Sequence, residues 1–159
     1  MVYNYIMKLY LVQHGMPLSK DIDSGRPLSP QGEEDISKMA EFLRASDHTV
    51  SRILHSGKIR AHQTADILAE VLLISGEVEA IDGINPNDPV QDFSLRAHLF
   101  KHDTMIVGHL PFMAKIVSYL VTGNEDQAIV AYKPGSVVCL KQNPEELWQI
   151  QWMLRPDTL

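Results

Sequence analysis

Cysteine and long apolar runs are both scarce in this chain of 159 residues. The single cysteine, Cys139, excludes an internal disulfide framework and a cysteine-only zinc site. Because it lies in the apolar run Ser-Val-Val-Cys-Leu, we predict a buried and unreactive thiol. No apolar run approaches the roughly 18 residues that span a bilayer, and residues 1–8 lack the basic-then-apolar pattern of a signal peptide. We therefore expect a cytoplasmic protein without a membrane partner, in which either Met1 or Met7 is the first residue.

Positive charge is also in short supply. Lysine and arginine number 14 against 20 aspartate and glutamate residues, which gives a net charge of −6. Binding to nucleic acid or to acidic lipid needs a basic face, so neither partner is expected. Hydrophobic residues make up 45% of the chain and charged residues 21%, as in ordinary globular proteins. This length and composition predict a single domain over residues 1–159.

Short apolar runs alternate with amphipathic segments along the chain. The apolar runs predict strands at residues 8–13, 52–55, 78–81, 104–107, 136–140 and 147–153. The amphipathic segments predict helices that follow the Ser29-Pro30 cap to about residue 45, and at residues 59–72, 90–100 and 110–123. This alternation predicts a three-layer α/β fold with a mostly parallel central sheet and helices on both faces.

The last predicted strand carries both tryptophans. Trp148, Ile150 and Trp152 alternate there with more polar neighbours, so we expect these three side chains to share one face. The two tryptophans are predicted to lie in the core or at its rim.

Polar residues follow three of the predicted strands. They are Gln13-His14-Gly15, His55-Ser56-Gly57 and Gly108-His109. In parallel sheets ligands bind beyond the carboxyl ends of the strands. Arg60 follows Ser56 by one helical turn, and arginine side chains and helix N-termini both bind anions. The pattern therefore predicts an oxyanion pocket.

Four ordered segments resemble the histidine phosphatase superfamily. Gln13-His14-Gly15 resembles its Arg-His-Gly signature, and the segment from Arg26 to Gly32 resembles its Arg-Pro-Leu-Thr-x-x-Gly motif. The segment from Ser56 to Thr64 resembles Ser-Pro-x-x-Arg-Ala-x-Gln-Thr, and Gly108-His109 matches the segment with the second histidine. The resemblance implies a phosphoglycerate mutase-like fold. The short chain and the Arg-Pro-Leu form indicate the SixA-like branch, the small bacterial protein-phosphohistidine phosphatases.

The resemblance also implies a role for each matching residue. His14 is expected to be the nucleophile that forms a phosphohistidine intermediate, while His109 and Arg60 stabilise charge on the phosphate oxygens. Gln13 and Arg26 are expected to complete the phosphate-binding site. No metal or cofactor is expected. The expected substrate is a phosphorylated protein, such as a histidine phosphotransfer domain, or a small phosphate ester.

Two departures from the family pattern favour an alternative. Gln13 replaces the usual arginine, and Gly83 aligns with the glutamate that donates a proton in many relatives. Asp82 and Asp88 are the nearest carboxylates to that position, and Lys58 is a candidate for the missing positive charge. The alternative is a weakened or inactive family member that binds a phosphorylated partner.

A third interpretation is a zinc enzyme in which His14, His55 and His109 gather at the strand ends. It leaves Arg60 without a role. For His55 itself a packing role is favoured over a catalytic one. The remaining histidines are predicted to be exposed: His48, His62, His98 and His102.

Overall fold

Strands and helices alternate in the computed structural model, which describes residues 5–159. Residues 1–4, and with them the choice of Met1 as the first residue, lie outside the described part. Within it the strands are β1 (Lys8–Gln13), β2 (Arg52–His55), β3 (Val78–Ala80), β4 (Thr104–Gly108), β5 (Val137–Gln142) and β6 (Trp148–Leu154). The α-helices are α1 (Pro30–Ala45), α2 (Ile59–Leu72), α3 (Val90–Ala97) and α4 (Phe112–Thr122). No helix of residues 5–159 is long and apolar enough to cross a membrane.

The strands form one sheet in the order β3-β2-β4-β1-β5-β6. The first four strands pair in parallel, whereas β5 is antiparallel to both β1 and β6. Only β5 therefore runs against the other described strands, and the predicted mostly parallel sheet is confirmed. Gln13 lies opposite Gly108, and His55 lies opposite Val107. This register brings the carboxyl ends of β1, β2 and β4 side by side.

The sheet separates two hydrophobic cores. On one face Leu9 and Leu11 of β1 are buried with residues of α3 and α4. On the other face Tyr10 and Val12 are buried with residues of α1 and α2. Because β1 is covered on both faces, its four central residues, 9–12, are all hydrophobic. The predicted three layers are confirmed, and Cys139 is fully buried as predicted.

Helix α1 begins at the predicted Ser29-Pro30 cap. The Ser29 hydroxyl accepts a hydrogen bond from the Gly32 N–H at 3.0 Å and donates one to the Met16 carbonyl at 2.9 Å. A Cβ atom at Gly32 would clash with that same carbonyl oxygen. The serine and the glycine thus let the chain after β1 pack against the first turn of α1.

Two local predictions are wrong. Helix α3 ends at Ala97 rather than at residue 100, because the chain tightens into bonds from Leu99 N–H to Arg96 and from Phe100 N–H to Ala97. In β6, a bulge leaves an extra residue between the partners of Cys139 and Leu140, which reverses the alternation of side chains.

The bulge separates the two tryptophans. Trp148 lies in the core beneath α3 and α4, whereas Trp152 packs on the opposite face with the core of α1 and α2. Ile150, which was expected to share their face, is exposed. Trp148 nevertheless lies in the core and Trp152 at a core rim, as predicted.

Candidate active site

His14 follows β1 and is buried, with only 8% of its surface exposed. Its Nδ1 lies 2.7 Å from the Gly15 carbonyl oxygen, which can only accept, so Nδ1 carries the proton. The lone pair is therefore on Nε2. The pKa of His14 is lowered to about 4, chiefly by burial and then by the charges of Arg60 and Arg26, against the opposing effect of the Gly15 bond. At neutral pH His14 consequently presents an uncharged ring with its lone pair on Nε2.

His109 follows β4 and faces His14, with the two ring centroids 5.0 Å apart. Its pKa is lowered to about 3, first by burial and then by His14, Arg60 and Lys58. Nε2 of His109 lies 2.6 Å from the Ser56 hydroxyl oxygen. Nδ1 is buried and has no hydrogen-bond partner among the described residues. His109 is thus also neutral at pH 7, with one ring nitrogen unpaired.

Arg60 lies in the first turn of α2 beside the two histidines. Its Nε donates a long hydrogen bond of 3.4 Å to Nε2 of His14. The structure therefore brings the expected nucleophile, the second histidine and the arginine into one pocket. A guanidinium that points at the nucleophilic nitrogen also points at the place where the oxygens of a bound phosphate would lie.

Two further residues of α2 fix the loops around the pocket. Thr64 accepts a hydrogen bond from the Gly15 N–H at 3.0 Å and donates one of 2.8 Å to the carbonyl of Arg60. Gln63 accepts one from the Leu28 N–H at 2.7 Å. Both residues belong to the motif segment, but their anchoring role was not predicted, because their partners are remote in sequence.

Arg26 and Gln13 border the site in different ways. Arg26 is half-buried, has a left-handed φ of 50°, and donates from Nε to the Leu18 carbonyl at 3.3 Å. Its charge lowers the pKa values of His14 and Arg60, which places it close to both. Gln13 is buried, and its Oε1 has no hydrogen-bond partner among the described residues. Gln13 thus adds a neutral amide where the family pattern has a cation.

The candidate acids do not resemble a catalytic carboxylate. Asp88 accepts a hydrogen bond from the Asn85 N–H at 2.8 Å, so its carboxylate stabilises its own loop. Asp82 is exposed, and Gly83 has a left-handed φ of 89°. Lys58 is exposed at the start of α2, close enough for its charge to lower the pKa of His109.

His55 is buried and stacks on His62, with the ring centroids 4.5 Å apart and the planes 9° from parallel. Its Nδ1 accepts a hydrogen bond from the Gly57 N–H at 3.0 Å. The favoured packing role agrees with these contacts. Among residues 5–159, no three or more histidine, cysteine, aspartate or glutamate side chains are grouped to hold a metal ion. His14, His55 and His109 thus form no such group.

The exposure of the other histidines was predicted with one error. His62, His98 and His102 are exposed as expected. His48 is half-buried, because it accepts or donates a 2.9 Å hydrogen bond with the Tyr10 hydroxyl and packs edge-on against Trp152.

Comparisons with known proteins agree with this geometry. The family model of the histidine phosphatase superfamily (branch 1) matches residues 9–85. The phosphohistidine phosphatase SixA of Escherichia coli (strain K12) is 25% identical over 122 residues, which are 74% of this chain and 76% of that protein. A solved structure of the protein histidine phosphatase SixA complexed with tungstate has a TM-score of 0.83 at 21% identity, covering 96% of this chain and 99% of that one. The alpha-ribazole phosphatase from Shigella flexneri has a TM-score of 0.76 at 15% identity, covering 94% and 97%.

The structural matches confirm the predicted phosphoglycerate mutase-like fold. The family model covers the first three motif segments, and the fold places the fourth, with His109, opposite His14. Residues 9–85 thus match the histidine phosphatase superfamily, and the similarity to SixA agrees with the predicted SixA-like branch.

Proposed function

We propose that this protein is a phosphatase that needs no metal ion and uses His14 as its nucleophile. The observation that carries the proposal is the facing pair of buried, neutral histidines, whose pKa values are lowered first by burial and then by nearby cations. These cations, Arg26, Lys58 and Arg60, would attract a phosphate group to the free Nε2 of His14. Charge stabilisation by fixed cations is the main requirement of phosphoryl transfer.

The proposed reaction has two steps. The lone pair on Nε2 of His14 attacks phosphorus, an N–P bond forms, and the bond from phosphorus to the leaving group breaks. Nδ1 keeps its proton and donates it in the hydrogen bond to the Gly15 carbonyl oxygen, whose partial negative charge stabilises the positive charge that the ring acquires. Arg60 then donates hydrogen bonds to the phosphate oxygens instead of to Nε2 of His14. Water then attacks phosphorus, the N–P bond breaks, and its electron pair returns to Nε2. Inorganic phosphate leaves with the oxygen and the protons of the water, and neutral His14 is restored.

The substrate proposed is phosphohistidine on a protein, for example on a histidine phosphotransfer domain, ahead of a small phosphate ester. Gly83 stands where many relatives have an acid, and Asp88 is bonded within its own loop. An alkoxide leaving group needs a positioned acid, whereas a leaving imidazole is readily protonated by solvent. The similarity to a phosphohistidine phosphatase supports the same choice.

Covalent labelling tests this proposal. Reaction with a phosphohistidine protein or a small phosphate donor should leave an acid-labile, base-stable phosphate on His14. His14→Ala should abolish the label and the turnover, and His109→Ala should slow both while still allowing labelling, because the attacking atom is intact. The exposed His102 provides the control His102→Ala, which should label like the wild type. A label on another residue, or full activity of His14→Ala, would contradict the assignment.

The alternative of a phosphate-binding protein without turnover rests on Gln13. Its amide carries no charge, and its Oε1 is an unpartnered acceptor that phosphate oxygens cannot satisfy. A wild-type protein that binds inorganic phosphate but neither labels nor turns over any donor would establish this alternative.

A further inference from the structure

Ser56 has no assigned role, yet it contacts the second histidine directly. It lies between β2 and α2, with its hydroxyl oxygen 2.6 Å from Nε2 of His109. The same oxygen accepts a long hydrogen bond of 3.4 Å from the Lys58 N–H. A hydroxyl group has one proton to donate and can accept from two partners. The Lys58 N–H occupies one acceptor position of Ser56, and the direction of the bond to His109 depends on the tautomer of that ring.

The direction of that proton determines the tautomer of His109. Because the Lys58 N–H points at the Ser56 oxygen, the hydroxyl proton cannot lie on that side and is free to point at Nε2 of His109. When the hydroxyl proton does point there, Nε2 accepts, and a neutral ring must carry its own proton on Nδ1. Nδ1 is the ring nitrogen that is buried without a hydrogen-bond partner.

A buried N–H without an acceptor is unfavourable by about 1–3 kcal/mol and is rare in native proteins. At a binding site it gains its acceptor when the ligand arrives. We infer that Ser56 is a positioning residue that holds His109 in the Nδ1–H tautomer, leaving this N–H to donate to an anionic oxygen. The role in phosphate binding rests on the proposed function, whereas the tautomer does not.

The turn that carries Ser56 is itself fixed. His55 accepts the Gly57 N–H at 3.0 Å, and Gly57 has a left-handed φ of 89° that a side chain would strain. His55 is buried and stacked on His62, so the turn is anchored at a packed site. The turn thus fixes the backbone from which the Ser56 side chain reaches His109.

Nitrogen NMR measures the tautomer directly, because protonated and unprotonated imidazole nitrogens have well separated ¹⁵N shifts. The His109 signals are assigned by their loss in His109→Gln. In the wild type at pH 7, Nδ1 should be protonated and Nε2 unprotonated, and added inorganic phosphate should shift the Nδ1 proton signal. Protonation at Nε2 in the wild type would overturn the inference without the use of any Ser56 variant.

Two Ser56 variants test whether Ser56 sets the tautomer of His109. Ser56→Ala should convert part of the His109 population to the Nε2–H tautomer and weaken the binding of inorganic phosphate by about tenfold, the effect of one hydrogen bond to a charged group. Ser56→Thr keeps the hydroxyl and should restore both. A serine that served only as a structural link would leave the His109 tautomer unchanged in Ser56→Ala, and that result would contradict the role of Ser56.

The proposed function and this inference can fail separately. A wild type that does not label His14 would contradict the phosphatase but not the Nδ1–H tautomer. A wild type that labels His14 with its His109 proton on Nε2 would contradict the tautomer alone.

Discussion

The chemistry of each histidine in the pocket depends on the partner of one ring nitrogen. His14 places Nδ1 against the Gly15 carbonyl, which leaves Nε2 free to attack. His109 places Nε2 against the Ser56 hydroxyl, which leaves Nδ1 free to donate. Two identical side chains, both buried and both neutral, thereby present a lone pair and an N–H to the same pocket.

At the same scale, Gln13 is the residue that limits the charge of the site. Gln13→Arg should restore a fixed cation and raise both phosphate affinity and turnover. A charge-assisted contact in a phosphate site is worth roughly 2–4 kcal/mol, so we expect a gain of tens- to a thousandfold in the rate of labelling. The gain is measured as the change in steady-state turnover of an aryl phosphate and in the rate of His14 labelling.

The control for this variant is Gln149→Arg, which adds the same charge at an exposed position on β6. Gln149→Arg should change neither the turnover of the aryl phosphate nor the rate of His14 labelling. A folded Gln13→Arg protein that behaves like Gln149→Arg would show that Lys58 or Arg26 already supplies the missing charge.

At the scale of elements, α2 connects the pocket to the loops around it. Arg60 extends towards His14, while Thr64 holds the Gly15 N–H and Gln63 holds the Leu28 N–H. One helical turn thus fixes both the arginine and the chain that follows the nucleophile. The spacing of the motif from Ser56 to Thr64 therefore places Arg60, Gln63 and Thr64 within about one turn of α2.

Thr64→Val should therefore affect stability and chemistry together. The variant keeps the shape of the side chain but leaves the buried Gly15 N–H without an acceptor, at a cost of about 1–3 kcal/mol in the free energy of unfolding. The rate of His14 labelling should fall as well, because Gly15 also orients the His14 ring. Thr64→Ser retains the hydroxyl and should restore both, as measured by urea unfolding and by labelling. Unchanged values in Thr64→Val would contradict the anchoring role.

The sequence predicted the elements and the site where the information was local or carried by a motif. The Ser29-Pro30 cap and the polar residues after β1, β2 and β4 are local patterns, and the parallel sheet brings these strand ends together. The bulge in β6 could not be predicted, because it depends on the register with β5. The burial of His48 and the bond from Ser56 to His109 depend on partners from other elements.

At the scale of the whole molecule, a net charge of −6 surrounds a cationic pocket. The charges that lower the pKa values of His14 and His109 belong to Arg26, Lys58 and Arg60. The acidic remainder of the protein disfavours general attraction of polyanions. Binding of the proposed phosphorylated partner would therefore depend on local contacts at the pocket, which suits a single phosphate group presented on a protein surface.

The lowered pKa values of His14 and His109 also make the stability of the whole protein depend on pH. Unfolded histidines bind protons with a pKa near 6.5, whereas the folded values are about 4 for His14 and about 3 for His109. As the pH falls below 6.5, the unfolded state takes up protons that the folded state does not, so the free energy of unfolding decreases. The decrease approaches about 1.4 kcal/mol per pH unit for each histidine until its folded pKa is reached.

Urea unfolding between pH 7 and pH 5 measures this dependence against His109→Gln, in which one of the two groups no longer titrates. We expect the difference in unfolding free energy between wild type and variant to shift by roughly 1–2 kcal/mol over that range, with the wild type losing more stability towards acid. Saturating inorganic phosphate should stabilise the wild type and reduce the stability that it loses towards acid pH. The reason is that a bound anion favours protonated histidines and raises their folded pKa values. If the free energy of unfolding changed with pH by the same amount in the wild type and in His109→Gln, His109 would not be held neutral by the fold.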